Sequence, residues 1–247
     1  AIPSNRISPV TAHSIATINQ LAPGRVILGI GTGFTGRNTM GLPPVPLKTV
    51  RTYIEQCRAL LNGEEILFQD NMGTGRRERW IRFLHQDHGY INLKDPIPIY
   101  FASNGPKALE LTGEIGDGVC LNYLVSEDYN AQAMEALAKG AAKAGRSVED
   151  IDRPQLVVCS LDEDRDKALD NARKMVTLYL GQQPHIMKAS GVSQDLIDAV
   201  NEIVGWPADE SKLLDAKHLV TDDIVQKVAA AGNADDCRAK VRQYCES

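Results

Sequence analysis

The segment Ser103-Asn104-Gly105-Pro106-Lys107 has the clearest chemical reading in the chain. It follows the apolar run Ile97-Pro98-Ile99-Tyr100-Phe101-Ala102 and precedes a helical pattern. Pro106 suits the first helical position, where no backbone donor is required. Gly105 lets a ligand come close to the backbone. Ser103 and Asn104 add side-chain donors beside the free N–H groups of the helix start. Together they can hold a phosphate. A capped helix with nothing bound would use the same residues.

A second signal is Gly29-Ile30-Gly31-Thr32-Gly33-Phe34-Thr35-Gly36, which spells G-x-G-x-x-G from Gly31 after a predicted strand. A dinucleotide fingerprint also needs a helix to open there. The next residues, Arg37-Asn38-Thr39-Met40-Gly41-Leu42-Pro43-Pro44, read as loop, and Glu55, near the position of a ribose-binding acid, falls inside a predicted helix. A Gly-rich strand exit fits better. Asp117, in the turn Glu114-Ile115-Gly116-Asp117-Gly118, reads as an acid bonding its own backbone in the turn rather than a catalyst. Arg76, Arg77, Arg79 and Arg82 surround Trp80 and read first as a solvated loop, second as a grip for an anionic tail. His85 and His88 have only Asp87 beside them, which is no metal pattern. His13 reads as a helix residue. His185 and His218 lie in a helical tail, and no GxSxG nucleophile motif occurs.

Short β-branched runs must position these groups. They are Val26–Ile30, Ile97–Ala102, Gly118–Leu121 and Leu156–Leu161. Each is continuous rather than alternating, which predicts parallel strands covered on both faces. Leu47, Val50, Ile54, Cys57 and Leu61 predict a helix ended by Gly63. Further helices are expected near 108–115, 127–144 and 163–180. Strand and helix in alternation argue for a parallel sheet with crossover helices. From about Gln182 onward only helices are expected, near 184–190, 193–204, 210–218, 221–231 and 234–245. Four strands cannot close an eight-stranded barrel.

Composition narrows the function classes. The chain has 247 residues with 27 Lys plus Arg and 32 Asp plus Glu, so the net charge is 27 − 32 = −5. An acidic chain is a poor nucleic-acid or anionic-lipid binder. No apolar run reaches the roughly 18 residues needed to span a bilayer, and the first residues lack a signal peptide's blocks. The cysteines, Cys57, Cys120, Cys159, Cys237 and Cys245, are widely spaced. That suggests neither zinc nor a disulfide framework, and a reducing cytoplasm is expected. Cys120 and Cys159 read as small core residues.

The order of motifs resembles the bacterial luciferase-like superfamily. Ala22–Gly33 is similar to its central strand and exit loop. Ile97–Val119 is similar to its next strand and phosphate loop, in the style of methylenetetrahydromethanopterin reductases. Tyr53–Glu64 and Ala144-Gly145-Arg146 fit as well. The resemblance covers most of residues 5–180, with the tail 220–245 fitting more loosely. It implies an α/β fold of TIM-barrel type, incomplete here. Three strands before Gly24-Arg25 and one after the last helix are absent, so the chain is expected to be part of a longer barrel. Residues 1–247 would form a single domain, with 180–247 as its helical region.

The resemblance further implies a flavin- or deazaflavin-dependent oxidoreductase using coenzyme F420 or FMN. Ser103, Asn104, Gly105 and Pro106 would bind the cofactor phosphate. Gly31, Thr32 and Gly33 would pass close to the cofactor, and Asn122 would face the same pocket. Phe34 and Arg37 would face a small-molecule substrate. Phe34 stands where several deazaflavin-dependent relatives carry an acid, and it cannot transfer a proton; no catalytic residue is assigned. The resemblance also implies a homo-oligomer, dimer or tetramer. The alternatives are an FMNH2-dependent monooxygenase using dioxygen, a non-catalytic flavin-binding protein, and an unrelated doubly wound nucleotide-binding domain.

Overall fold

A computed structural model describes residues 1–69, 78–205 and 207–246. The chain divides into two compact units, one of residues 1–103, 107–120 and 137–154, the other of residues 104–106, 121–136 and 155–247.

The first unit contains helix α1 (Ser8–Leu21), strand β1 (Leu28–Gly31), helices α2 (Phe34–Asn38) and α3 (Leu47–Leu61), strands β2 (Ile66–Phe68), β3 (Arg79–Ile81) and β4 (Ile99–Ala102), helix α4 (Pro106–Ile115) and strand β5 (Gly118–Cys120). β1, β4 and β5 form a parallel sheet with β4 in the middle. Leu28 stands opposite Ile99 and Gly31 opposite Ala102. Tyr100 stands opposite Gly118. As the central strand, β4 buries Ile99, Tyr100 and Phe101, as its continuous apolar run predicts. β1 does not follow that expectation: Leu28 and Ile30 are buried, but Gly29 is exposed. β2 and β3 form an antiparallel hairpin that the sequence reading missed, because three-residue strands carry too little periodicity.

α3 buries Val50, Tyr53, Ile54, Cys57 and Leu60 against α1 and the sheet. Two hydroxyl contacts, Thr11 with Tyr53 and Ser8 with Gln56, lock α1 to α3. Burial pushes the Tyr53 phenol up to about 12, so it stays neutral and bonded. Asn19 is fully buried; its Nδ2 donates to the carbonyls of Asn92 at 3.1 Å and Asp95 at 2.9 Å. It anchors the approach to β4.

Helix α5 (Glu127–Lys143) meets α4 through backbone. A Cβ on Gly140 would overlap the Glu110 carbonyl, and one on Gly113 would overlap the Leu137 carbonyl. Only glycine permits so close an approach. Glu110 pairs with Lys139 at 2.9 Å and also with Lys143, while Arg51 pairs with Glu114.

The second unit contains strand β6 (Cys159–Leu161), helices α6 (Arg165–Gln182), α7 (Pro184–Ala189), α8 (Gln194–Val204), α9 (Leu213–Ala216) and α10 (Asp222–Val228), strand β7 (Ala230–Gly232) and helix α11 (Ala234–Glu246). α6 is capped by Asp164, whose side chain accepts from the amides of Asp166 and Lys167, a standard N-cap arrangement.

β7 pairs in parallel with β6, so the tail is not purely helical as expected. Ala230-Ala231 reads as helix by propensity, but pairing with β6 and burial decide otherwise. β6 in turn leaves one face uncovered: Leu161 and Cys159 are exposed. The expectation that Cys159 is a core residue is therefore corrected; Cys120 is half-buried. Lys240 is buried, donating to Glu127 Oε1 and the Lys227 carbonyl, each at 2.8 Å, with its ammonium over the Tyr244 ring. These partners offset the cost of burying a charge.

No described helix is long and apolar enough to cross a membrane.

The α4–α5 contact gives the first prediction. Gly140→Ala is expected to lower stability by about 1–3 kcal/mol, because the added methyl meets unyielding backbone. Urea denaturation checks this, with Gly29→Ala as the control, since a Cβ there meets no atom within 4 Å and the backbone is not left-handed.

Candidate functional site

β1 and β4 run parallel and end side by side, Gly31 against Ala102. Their two exits, 31–33 and the start of 103–106, therefore leave the same, carboxyl edge of the sheet. Ligands of parallel α/β proteins bind at that edge.

Ser103 is buried, and its Oγ lies 2.5 Å from Thr112 Oγ1. Thr112 donates to the Ala108 carbonyl at 2.9 Å. This relay of hydroxyls ties the end of β4 to the body of α4. The Ser103 side chain, expected to face a phosphate, is turned into its own helix instead.

In the second unit the Asn104 carbonyl accepts from the Tyr129 hydroxyl at 2.9 Å. Burial pushes the Tyr129 phenol up to about 12, so it carries its proton at neutral pH and remains a donor. Gly105 is free of any steric or dihedral demand. A Cβ there would meet no atom within 4 Å, and its φ lies outside the left-handed region. Among the described residues nothing accounts for glycine at this position, whereas a ligand brought against the backbone would. Pro106 opens α4 as predicted. The first amides of a helix such as α4 have no intrahelical acceptor.

The other exit differs from its sequence reading. Residues 34–38, expected as loop in their later part, form the short helix α2. Gly33 is its N-cap at φ 75°, and a Cβ there would lie 2.9 Å from Ile2. Here glycine is required by backbone and packing alike. Thr32 is half-buried, and its carbonyl accepts from the Val45 amide at 2.9 Å. Phe34 is half-buried on α2. The Arg37 guanidinium donates to the Pro43 carbonyl and to Ser4, so it braces the loop that follows α2. Glu55 sits on α3 and pairs with Arg51 at 3.7 Å.

Asn122 follows β5. Its Nδ2 donates to the Tyr179 hydroxyl, and its Oδ1 accepts from the Tyr123 amide at 3.0 Å. The Tyr123 and Tyr179 rings lie 4.9 Å apart. Burial drives the Tyr179 phenol well above its ordinary range. Tyr129 and Tyr179 lie in helices, where an aromatic reads as core from sequence, and Tyr123 lies in the loop after β5.

Asp117 is structural, in agreement with its sequence reading. Its carboxylate accepts from the Ile99 amide at 2.8 Å and from Arg58 at 3.0 and 2.8 Å. It binds the start of β4 rather than its own turn. Of the arginine cluster, Arg79, Trp80 and Arg82 are exposed; Arg76 and Arg77 lie outside the described residues. His85 and His88 stack edge to face 4.7 Å apart. Among the described residues no group of three His, Cys, Asp or Glu could hold a metal ion.

A parallel α/β protein with glycine-bearing exits and a helix start at one sheet edge is defined by these features. The profile of the luciferase-like monooxygenase family matches residues 2–247. A 5,10-methylenetetrahydromethanopterin reductase of Archaeoglobus fulgidus is 32% identical over 245 residues, covering 98% of this chain and 70% of the relative. An F420-dependent glucose-6-phosphate dehydrogenase of Amycolatopsis mediterranei is 27% identical, covering 99% and 68%. The solved structure of the coenzyme F420 dependent tetrahydromethanopterin reductase from Methanopyrus kandleri superposes with a TM-score of 0.80 at 25% identity, over 100% of this chain and 72% of that one. The chain belongs to the luciferase-like monooxygenase family. Its fold is of the luciferase-like TIM-barrel type, and it is an oxidoreductase of that class. The unrelated doubly wound alternative is thereby overturned, although α2 opens where that reading required a helix.

Asp117→Ala is expected to cost about 1–3 kcal/mol, since the Ile99 amide and Arg58 lose their acceptor. Turnover per folded molecule is expected to be unchanged; thermal denaturation beside an activity assay checks both halves.

Proposed function

We propose that this protein is a coenzyme F420-dependent oxidoreductase acting on a small organic substrate. The carrying observation is the similarity to the Archaeoglobus reductase, which extends over 98% of the chain. The geometry supports it. Space beside Gly105, the start of α4 and a carbonyl fixed by Tyr129 suit the phosphate of an anionic cofactor tail.

In this reading Asn104, Gly105 and Pro106 line the phosphate, and the α4 amides donate to it. Ser103 holds the loop in shape through Thr112 and contributes its backbone. Gly31, Thr32 and Gly33 pass close to the cofactor with backbone groups. Asn122, oriented by Tyr179, is a further cofactor contact of this reading, and Phe34 and Arg37 are its substrate contacts. When bound, the reduced deazaflavin supplies a hydride. The residues bind and orient, and none of those named is assigned as a proton carrier. Residues 1–247 act as a single luciferase-like domain, in a homo-oligomer of the cytoplasm.

Titrating purified protein with coenzyme F420 and with FMN, followed by tryptophan fluorescence, tests the proposal. Coenzyme F420 is expected to bind at least tenfold more tightly. Gly105→Val is expected to change the melting temperature little, because a Cβ there meets no atom within 4 Å, and to weaken binding at least tenfold. Preferential binding of FMN would move the reading to a monooxygenase using dioxygen, or to a passive flavoprotein if no turnover accompanies it.

Tyr129→Phe is expected to weaken binding about two- to tenfold, the equivalent of one hydrogen bond. The raised Tyr129 value sets the sign of the pH dependence. Its contribution is complete below about pH 10 and lost only as pH rises through about 12. Affinity measured between pH 6 and 9 should therefore show no step from this group.

A further inference from the structure

Two thiols of the second unit lie on neighbouring elements. Cys159 begins β6 and stands opposite Ala230 of β7. Cys237 is the fourth residue of α11. Its Sγ lies 3.2 Å from the Ala230 carbonyl oxygen and 3.7 Å from that of Ser160. The Cys237 sulfur thus sits over the β6–β7 pair at the level of Cys159, which stands opposite Ala230, and the Cys159 thiol acts on it as a neighbour.

Their surroundings differ in a useful way. Cys159 is exposed and Cys237 is buried. Burial, with the neighbouring thiol, pushes Cys237 up to about 11. Cys237 therefore keeps its proton at neutral pH, while Cys159 is open to an oxidant in solution. Neither residue belongs to the cofactor or substrate groups named above. Cys57 is buried in the first unit, and Cys245 is exposed on α11, about 12 Å along the helix from Cys237.

We propose that Cys159 and Cys237 form a reversible oxidation site, closing as a disulfide that staples β6 to α11. The oxidant is a hydroperoxide. The Cys159 thiolate attacks the peroxide; an S–O bond forms, the O–O bond breaks, and the leaving oxygen takes a proton to become water or alcohol. Cys237 then releases its proton and attacks the Cys159 sulfur. The S–S bond forms, the S–O bond breaks, and a water leaves with that proton. Two thiols are oxidised by two electrons and one peroxide is reduced. A dithiol reductant reverses the link by exchange. The closed loop is long, so the staple removes much freedom from the unfolded chain.

The test treats the full chain with dilute hydrogen peroxide, blocks remaining thiols with a maleimide, and maps peptides without reduction. The expected product is one cross-linked peptide joining Cys159 to Cys237, two hydrogens lighter than its parts. The melting temperature should rise by several degrees and return on adding dithiothreitol. C159S should show neither change. C245S should show both. C237A, the second variant, should instead leave a Cys159 sulfenic acid that dimedone captures. The proposal is overturned if wild-type Cys159 accumulates as sulfinic acid while Cys237 stays alkylatable on unfolding. It is equally overturned if Cys159 links to Cys245 or to a second chain.

Discussion

The backbone contact between α4 and α5 is the constraint on which the candidate site depends. Gly113 and Gly140 bring the two helices so close that carbonyl oxygens occupy the space of a side chain. A contact of that kind has no slack, because main chain cannot rotate away as a side chain can. It fixes the axis of α4 and therefore where its first amides point. The Ser103–Thr112–Ala108 relay then fixes how the chain enters the helix. Salt bridges from Glu110 and Glu114 to Lys139, Lys143 and Arg51 hold its exposed flank, with the modest strength of surface pairs. A helix start serves as an anion site only if it is rigid, since affinity comes from donors that need no reorganisation.

The two ends of the sheet divide the work. At the amino end of β4, Asp117 joins Arg58 to the Ile99 amide, and Asn19 gathers the carbonyls of Asn92 and Asp95. These groups are bonded to one another and brace this end of the strand. At the carboxyl end, Gly105 has open space where a side chain would be, and the amides of α4 have no acceptor of their own. An acid in a glycine turn is thus a brace at one edge, while a glycine with no protein reason to be glycine marks the other.

Much of this was legible in the residues. Pro106 after Gly105 marked the start of α4, and the spacing of Val50, Ile54, Cys57 and Leu61 marked α3, because local rules act there without competition. The order of motifs gave the family, and the family gave the barrel type that four short strands alone could not. The failures were tertiary. Ala230-Ala231 favours helix locally but is held in β7 by its pairing with β6. Ser103 has the right chemistry for a phosphate, yet Thr112, nine residues on, claims its hydroxyl. Tyr129 and Tyr179 act through hydroxyls that meet residues 25 and 57 positions away, and no window of sequence contains such a pair. Cys159 sits in an apolar run but lies on a strand face left uncovered.

The most direct measurement compares coenzyme F420 with the same deazaflavin core stripped of its phosphate-bearing tail, each titrated calorimetrically into the protein. If the start of α4 holds the cofactor by its phosphate, the stripped core is expected to bind at least a hundredfold more weakly, and the difference should shrink in Gly105→Val. Equal affinity for the two compounds would contradict the account, since the loop at 103–106 would then have no part in binding.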